Sequence, residues 1–134
     1  MRVFIDSNIP MYVAGARHPN REPARRFLER VRSGEVDGCA STEVLQEILY
    51  RYAALERLDL AVGVYDLFVE ICPEIFDVSL ADTDKARDLL GRATAVSARD
   101  AIHAAVALNH GVETVASFDR GFDRIPGLAR LEPS

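Results

Sequence analysis

The sequence predicts an α/β fold in which helices cover both faces of a central, mainly parallel sheet. Strand-like segments alternate with amphipathic helical segments along the chain, as they do in sheets built from strand–helix–strand units. The first strand-like segment, residues 3–5, is apolar at consecutive positions, which is typical of a central strand covered on both faces. At 134 residues the chain has the size of one domain, so we expect residues 1–134 to form a single domain.

The composition indicates a globular protein, with 49% apolar and 28% charged residues. A net charge of −5 argues against a protein that binds nucleic acid through bulk charge. Cys39 and Cys72 are isolated and fit no metal or redox spacing, so we expect buried thiols in a reducing compartment. We find no signal or membrane-spanning pattern, and therefore expect a cytoplasmic location without membrane contact.

The first segment combines strand composition with turn chemistry, since the apolar run ends in Asp6, Ser7 and Asn8. Ligands of parallel sheets bind beyond the carboxyl ends of the strands, so Asp6 is predicted to lie where chemistry would occur. The alternative is that Asp6 only closes the strand as a turn or cap residue. Residues 9–15 then predict one or two helical turns.

A helix is predicted over residues 21–33, with Asn20 as its cap and Gly34 at its end. Its apolar residues recur at helical spacing: Ala24, Phe27, Leu28 and Val31. Arg21, Arg25 and Arg32 lie on the outer face. Such a row is either a solvated surface or a path for the phosphates of a nucleic acid.

The next helix carries two glutamates along one edge. It follows a weak strand candidate over residues 36–40 and is capped by Ser41 or Thr42. Its apolar stripe consists of Val44, Leu45, Ile48, Leu49, Tyr52 and Leu55. Glu43 and Glu47 are one turn apart, and the ordinary interpretation of Glu47 is an ion pair with Arg51 at i+4.

Further helices and strands follow in alternation. Residues 58–72 predict a helix antiparallel to the preceding one, residues 75–80 a strand, and residues 83–90 a short helix closed by Gly91. A loop is expected over residues 92–96. Later, residues 114–118 predict a strand that ends in Asp119, and residues 128–131 a marginal last strand.

Between them lies a helix whose start matches a reciprocal cap. In residues 97–100 the Ser97 hydroxyl and the Asp100 carboxylate would satisfy free N–H groups. That pattern gives Asp100 an ordinary explanation as a capping acid. Residues 101–108 are mostly small and apolar, so the helix should be buried, and His103 is expected to be a hydrogen-bonded core histidine.

Four acids stand out when the segments are considered together: Asp6, Glu47, Asp100 and Asp119. Oxygen donors without cysteine or clustered histidine suit Mg²⁺ or Mn²⁺ rather than zinc. Carboxylates that converge in one cleft repel each other unless they are protonated or bridged by cations. If these acids converge, a metal site is implied.

Four motifs carry a resemblance to a known family, and they extend from the first strand to the last. They are residues 3–8 (VFIDSN), 41–49 (STEVLQEIL), 98–105 (ARDAIHAA) and 117–122 (SFDRGF). In this order and spacing they resemble a PIN domain, specifically the small single-domain VapC-like toxins. The resemblance implies an α/β/α sandwich and a metal-dependent endoribonuclease that acts on RNA. Such proteins are commonly homodimers and are neutralised by a small antitoxin encoded beside them.

The resemblance also assigns roles to residues. It implies that Asp6, Glu47, Asp100 and Asp119 are catalytic, and that Asp6, Asp100 and Asp119 hold Mg²⁺ or Mn²⁺. Asn8 and Ser117 match supporting polar positions, Glu43 could share or replace the role of Glu47, and Asp123 is a spare carboxylate. Specificity would reside in the loops at residues 17–20 and 92–96.

Three alternatives remain beside the nuclease. A haloacid-dehalogenase-like phosphatase needs a second acid where this chain has Asn8, together with a suitably placed lysine. A receiver domain needs paired acids before Asp6 and a late lysine, whereas the sole lysine, Lys85, precedes a predicted helix. The serious alternative is a non-catalytic PIN-like module that binds RNA or a protein.

Overall fold

A five-stranded parallel sheet forms the centre of the computed structural model, which describes residues 1–93 and 95–134. The strands are β1 (Arg2–Ile5), β2 (Asp37–Ser41), β3 (Glu74–Phe76), β4 (Thr114–Ala116) and β5 (Ala129–Leu131). Their order in the sheet is β3-β2-β1-β4-β5, and every neighbouring pair is parallel. The central strand is therefore β1, as the apolar residues 3–5 predicted, and each of these three is at most 2% exposed.

Helices connect the strands. They are α1 (Asn8–Ala14), α2 (Arg21–Arg32), α3 (Thr42–Ala54), α4 (Leu58–Ile71), α5 (Leu80–Arg92) and α6 (Ala98–Asn109), with a 3₁₀ helix over Arg120–Arg124. The helices α1, α2 and α4 contact one another, and α5 packs along α6. None of the helices in the described ranges is long and apolar enough to cross a membrane.

Alternate side chains of β1 face different helix layers. The ring of Phe4 lies 5.6 Å from that of His103 on α6. On the other face, a Cβ built on Gly38 of β2 would lie 2.8 Å from Ile5 Cδ1 and 2.9 Å from Val31 Cγ1 on α2. Only a residue without a side chain lets α2 approach the sheet this closely. The predicted three-layer α/β/α sandwich is thus confirmed.

The segment before α5 is the largest departure from the sequence prediction. The strand expected over residues 75–80 ends at Phe76, and α5 begins at Leu80 and continues to Arg92, past Gly91. Ser79 Oγ accepts a hydrogen bond from the Asp82 N–H (3.2 Å), and Asp82 Oδ2 accepts one from the Ser79 N–H (2.9 Å). This capping box fixes the earlier start, so the helix boundaries of 83–90 were wrong.

Smaller corrections concern α2, α3 and the loop after α5. Asn20 occupies the position before α2, but its side chain makes no capping hydrogen bond in the described structure. Leu49 on α3 is 42% exposed and Leu55, which directly follows α3, is 54% exposed, so the buried stripe is narrower than predicted. Of the loop expected over residues 92–96, Arg92 belongs to α5 and residue 94 lies outside the described residues.

Candidate active site

The candidate site lies where β1 and β4 end side by side. These two strands are parallel neighbours. Asp6 directly follows the last residue of β1, and two residues separate the end of β4 from Asp119. From β1 the chain continues to β2, which lies on one side of β1 in the sheet, whereas β4 lies on the other side. The carboxyl ends of β1 and β4 therefore form a topological switch point of the sheet. Helices α3 and α6 bring Glu47 and Asp100 to the same edge. All four predicted acids line one cavity of about 580 Å³.

Asp6 is held by hydrogen bonds on both carboxylate oxygens. It is 5% exposed, Oδ1 accepts from the Ser7 N–H (2.7 Å), and Oδ2 accepts from the Ser117 hydroxyl (2.6 Å). Burial raises the pKa of Asp6, although His103 and the Ser117 hydroxyl act in the opposite direction. These buried hydrogen bonds fix the orientation of the Asp6 carboxylate.

Ser117 connects the ends of β1 and β4. Its hydroxyl donates to Asp6 and accepts from Asn8 Nδ2 (3.0 Å) and from the Asp119 N–H (2.9 Å). A hydroxyl has one donor and two acceptor sites, so its hydrogen-bonding capacity is full. The two predicted supporting residues, Asn8 and Ser117, thus contact each other, and Ser117 contacts both Asp6 and Asp119. Asn8 Oδ1 is buried without a partner among the described residues.

The backbone and the side chain of Asp100 make separate contacts. Its N–H donates to Ser97 Oγ (3.1 Å), which is half of the predicted reciprocal cap. The other half was wrong: in the described part of the chain, the carboxylate does not return a bond to Ser97 and instead faces Asp119. Burial and the neighbouring Asp119 raise the pKa of Asp100 to about 7. Burial contributes most to this elevation, and repulsion from the carboxylates of Asp119 and Asp6 adds to it.

A glycine keeps the space between these two carboxylates open. A Cβ on Gly121 would lie 3.1 Å from Asp119 Oδ1 and 3.3 Å from Asp100 Oδ2. The Gly121 N–H also donates to Asp119 Oδ1 (2.8 Å), which orients the carboxylate. The geometry leaves a concave space bordered by carboxylate oxygens.

Glu47 is bound by residues that are distant in sequence. The predicted ion pair with Arg51 was wrong, because Glu47 Oε1 is hydrogen-bonded to His103 Nε2 and Oε2 lies 3.6 Å from Arg99 Nη1. Oε2 also accepts from the Ser7 hydroxyl at 3.3 Å. Only 10% of the Glu47 side chain is exposed, so its position is fixed by these contacts.

His103 is a buried hydrogen-bonded histidine, as predicted. Its side chain is only 1% exposed. Burial lowers the pKa of His103, but the hydrogen bond to Glu47 and the negative charge of Asp6 raise it by more, so the pKa is raised overall. His103 Nε2 and one oxygen each of Asp6 and Glu47 lie within 4.8 Å of one another, close enough to hold a metal ion. Because Nε2 is already bonded to Glu47, we assign His103 as the partner of these acids and not as a ligand.

Two acids that the sequence left open do not line the cavity. Glu43 is one turn before Glu47, and burial followed by repulsion from Glu47 raises its pKa. Asp123 is bound by Arg130, with distances of 3.0 and 3.3 Å to the guanidinium nitrogens, and about half of its side chain is exposed. The same guanidinium donates to the carbonyl of Ser117 (3.1 Å). Arg130 thus holds Asp123 outside the acid cluster.

The arginines of the cavity are not those singled out in the sequence. Its lining includes Arg51, Arg99, Arg120 and Arg124. The α2 residues Arg21, Arg25 and Arg32 do not line it, and Arg25 is paired with Glu22 at 2.9 Å. The sequence contained a signal for two of the cavity arginines, because Arg99 and Arg120 each directly neighbour a predicted site acid.

The fold and the cavity together define a class of protein. It is the class of small parallel α/β domains that gather carboxylates at the switch point of the sheet. The sequence matches the PIN domain family over residues 3–128. The chain belongs to this family, as the four motifs predicted.

Named relatives and solved structures agree with this assignment. Ribonuclease VapC13 of Mycobacterium tuberculosis and VapC ribonuclease Mb1869c of Mycobacterium bovis are each 43% identical to the chain over 129 residues. These matches cover 96% of this chain and 98% of each relative. VapBC2 from Rickettsia felis, solved bound to a promoter DNA fragment, has a TM-score of 0.79 at 22% identity and full coverage of both chains. A toxin–antitoxin complex from Klebsiella pneumoniae has a TM-score of 0.70 at 18% identity and 95% coverage of each chain.

Proposed function

We propose that the chain is a metal-dependent endoribonuclease that hydrolyses RNA phosphodiester bonds and acts as the toxin of a toxin–antitoxin pair. The observation that carries this proposal is the convergence of Asp6, Asp100 and Asp119, with Glu47 beside them, in one cavity. The relatives at 43% identity are named ribonucleases, which supports the same activity. We further propose that residues 1–134 act as one domain, because one sheet joins β1 to β5.

The residues present fit a hard divalent cation, Mg²⁺ or Mn²⁺. The donors are carboxylate oxygens, the preferred ligands of these ions. Gly121 leaves open the space that a Cβ would fill, and the carboxylates of Asp100 and Asp119 border this space. Asp6, Asp100 and Asp119 would hold the ion. When bound, such an ion lowers the pKa of a water ligand and stabilises charge on the leaving oxygen.

The protein's own residues supply orientation and charge. Ser117 and Asn8 hold Asp6 and the backbone of Asp119 in place. Glu47, fixed by His103, is placed to accept a proton from the attacking water or to contribute an oxygen to the ion. Arginines at the cavity attract the phosphates of the substrate, and Arg21 and Arg32 on α2 would add to the positive field, whereas Arg25 is paired with Glu22.

The proposed partners are a small antitoxin and a second copy of the chain. Several large apolar side chains remain exposed along α3 and α4, among them Leu49, Leu55, Leu58, Val62 and Val69. Leu58, Val62 and Val69 are spaced to lie on one face of α4, and an apolar face of this kind is where we expect a partner to bind. Both cysteines are free and buried, which agrees with the cytoplasmic location that we propose.

The decisive experiment incubates purified protein with total RNA in the presence of Mg²⁺, Mn²⁺ or EDTA and maps the new RNA ends. We expect discrete, metal-dependent ends that Asp119→Asn abolishes. Asp123→Asn is the matched control, because Asp123 lies in the same 3₁₀ segment but does not line the cavity. Binding without cleavage would favour the non-catalytic module instead.

A further inference from the structure

A second cavity adjoins the acid-lined one. It has a volume of about 750 Å³ and lies between α1, the loop after it, and the residues that join α3 to α4. Asn8, Met11 and Arg51 line both cavities. The two cavities therefore adjoin each other at these three residues, and the carboxylates lie in the first of them.

The second cavity has the opposite charge from the first. Arg17, Arg51 and Arg57 line it, and no aspartate or glutamate does so among the residues that the structure describes. Arg57 is neutralised by Asp59 through two hydrogen bonds of 3.0 and 3.1 Å. Arg17 and Arg51 have no carboxylate within 4 Å in the described ranges, so their charge is available to a ligand. In a chain with a net charge of −5 this is a specific concentration of positive charge.

Arg51 is available because of how the neighbouring site is built. An i+4 pair with Glu47 would neutralise it, but Glu47 is held by His103 and Arg99. The guanidinium group of Arg51 therefore remains without a carboxylate partner among the described residues, at the place where the two cavities meet. It is positioned to contact a phosphate of a ligand that extends from one cavity into the other.

An aromatic surface lies beside these arginines. The rings of Tyr12 and His18 are 4.7 Å apart, and Tyr12 also contacts the ring of Phe118 edge-on at 5.2 Å. His18 Nδ1 accepts a hydrogen bond from the Asn20 N–H (3.0 Å), which holds the exposed imidazole in the loop. His18 is exposed, and its ring lies at a tilt beside that of Tyr12.

We propose that the second cavity binds the nucleotides of a single-stranded RNA that flank the scissile phosphate, with Arg17 and Arg51 on the phosphates and His18 stacked on a base. Arginines along the backbone path combined with an aromatic platform are how proteins bind single-stranded nucleic acid. This inference rests on the proposed ribonuclease function and assigns its substrate subsite. An acidic or apolar protein segment is the competing occupant.

The first test measures binding of a fluorescent oligouridylate of about eight nucleotides, a length within the usual range of single-strand sites. Ca²⁺ replaces the catalytic ion so that binding is measured without cleavage, and affinity is followed across salt concentrations. We expect Arg51→Gln and Arg17→Gln each to lower the salt slope by about 0.7, the value for one phosphate contact on a single strand. Arg87→Gln is the matched control, because Arg87 lies on α5, is 82% exposed and lines neither cavity.

The second test separates stacking from loop support. His18→Ala should weaken oligouridylate binding by at least about fivefold, the low end for one stacked base. His18→Phe keeps a ring but loses the hydrogen bond to Asn20, so it should bind like the wild type. Equal losses in both variants would assign His18 to loop structure and overturn its stacking role.

The outcomes distinguish this inference from the function on which it rests. Unchanged salt slopes in Arg17→Gln and Arg51→Gln, with RNA cleavage intact, would overturn the RNA subsite and leave the cavity to a protein segment. Arg51-dependent oligouridylate binding without any RNA cleavage would instead support the subsite and overturn the ribonuclease.

Discussion

Asp100 shows how a single residue can satisfy a structural pattern and a chemical one at the same time. Its backbone N–H completes the start of α6, which leaves the carboxylate free to face Asp119. Asparagine at this position keeps the backbone bond and removes only the charge. The variant Asp100→Asn therefore isolates the electrostatic contribution to stability.

We expect the pH dependence of metal-free stability to differ between the wild type and Asp100→Asn. The folded-state pKa of Asp100 is about 7 against an ordinary 3.8, so the folded protein binds this proton more tightly than the unfolded chain does. Its stabilising contribution is present at low pH and is lost as the pH rises from about 4 to about 7. Relative to the variant, the wild type should lose roughly 1 to 3 kcal/mol across this window. Urea unfolding in EDTA measures the difference, and parallel curves would contradict it.

Gly121 gives a second prediction at this scale. Gly121→Ala would place a methyl group 3.1 to 3.3 Å from the carboxylates of Asp119 and Asp100, and so reduce the space for an ion. We expect weaker Mn²⁺ binding by isothermal titration calorimetry. Gly63→Ala on α4 is the control, because its Cβ would meet no atom within 4 Å. Equal Mn²⁺ affinities in the two variants would show that the space does not hold the ion.

The sequence predicted some residue positions and missed others for a physical reason. Asp6 and Asp119 were placed correctly because parallel strands end at the same edge of a sheet. The partner of Glu47 was missed because local spacing suggests Arg51, whereas His103 is 56 residues away and meets Glu47 only through tertiary packing.

At the scale of elements, the start of α5 shows that capping hydrogen bonds can override a strand-like pattern of apolar residues. Val78 and Leu80 alternate like a strand, yet Leu80 is 77% exposed and the box of Ser79 with Asp82 starts a helix. Asp82 also accepts a bond from Asn109 Nδ2 (2.8 Å) and so joins α5 to α6. The capping pattern was present in the sequence, but apolar alternation obscured it.

Asp82→Asn should destabilise the protein by about 1 kcal/mol at neutral pH, since it weakens a cap. Burial alone would raise the pKa of Asp82, but hydrogen bonds from the Ser79 backbone and Asn109 outweigh it, and the pKa is lowered. A lowered pKa stabilises the fold above the ordinary value of 3.8, and the benefit is lost as the pH falls through the folded-state pKa. Urea unfolding at neutral and strongly acidic pH tests this. A difference between variant and wild type that persists in acid would contradict it.

The exposed apolar face of α4 leads to a prediction about dimer formation. Leu58, Val62 and Val69 lie along one face and are 71%, 51% and 43% exposed. If this face binds a second copy, Val62→Ser with Val69→Ser should convert a dimer to a monomer in sedimentation velocity. Because both residues are exposed, stability of the monomer should change by only about 0.5 kcal/mol. The control Leu80→Ser removes an exposed apolar residue from α5, and a doubly substituted protein that remains dimeric would exclude the α4 face.

For the molecule as a whole, the alternation of strands and helices was enough to predict a layered α/β fold. Parallel pairing and right-handed crossovers leave few ways to arrange such a sequence. The order of the strands and the position of helix ends were not predictable in the same way. They depend on contacts such as the close approach of α2 to Gly38, which local spacing does not reveal.

Metal binding should stabilise the entire fold. An ion that binds only the folded state adds about 2.7 kcal/mol at a hundredfold excess over its Kd. Thermal melts in EDTA and across a Mg²⁺ titration should show this gain for the wild type and for Asp123→Asn, but little of it for Asp6→Asn. In EDTA, Asp6→Asn should be less stable than the wild type, because an amide nitrogen cannot accept the hydrogen bond from Ser117 and the favourable interaction with His103 is lost. A variant that responds to Mg²⁺ as strongly as the wild type would reduce Asp6 to a turn residue.

The strand order has a consequence for the folding of the protein. Because β1 pairs with β4, the carboxylate of Asp6 accepts a hydrogen bond from Ser117, which lies 111 residues later in the sequence. Contacts between residues that are far apart in sequence form slowly, since the entropy of closing the intervening chain must be overcome first. We therefore expect the acid cluster of the proposed nuclease to form late in folding, after the local contacts within the helices.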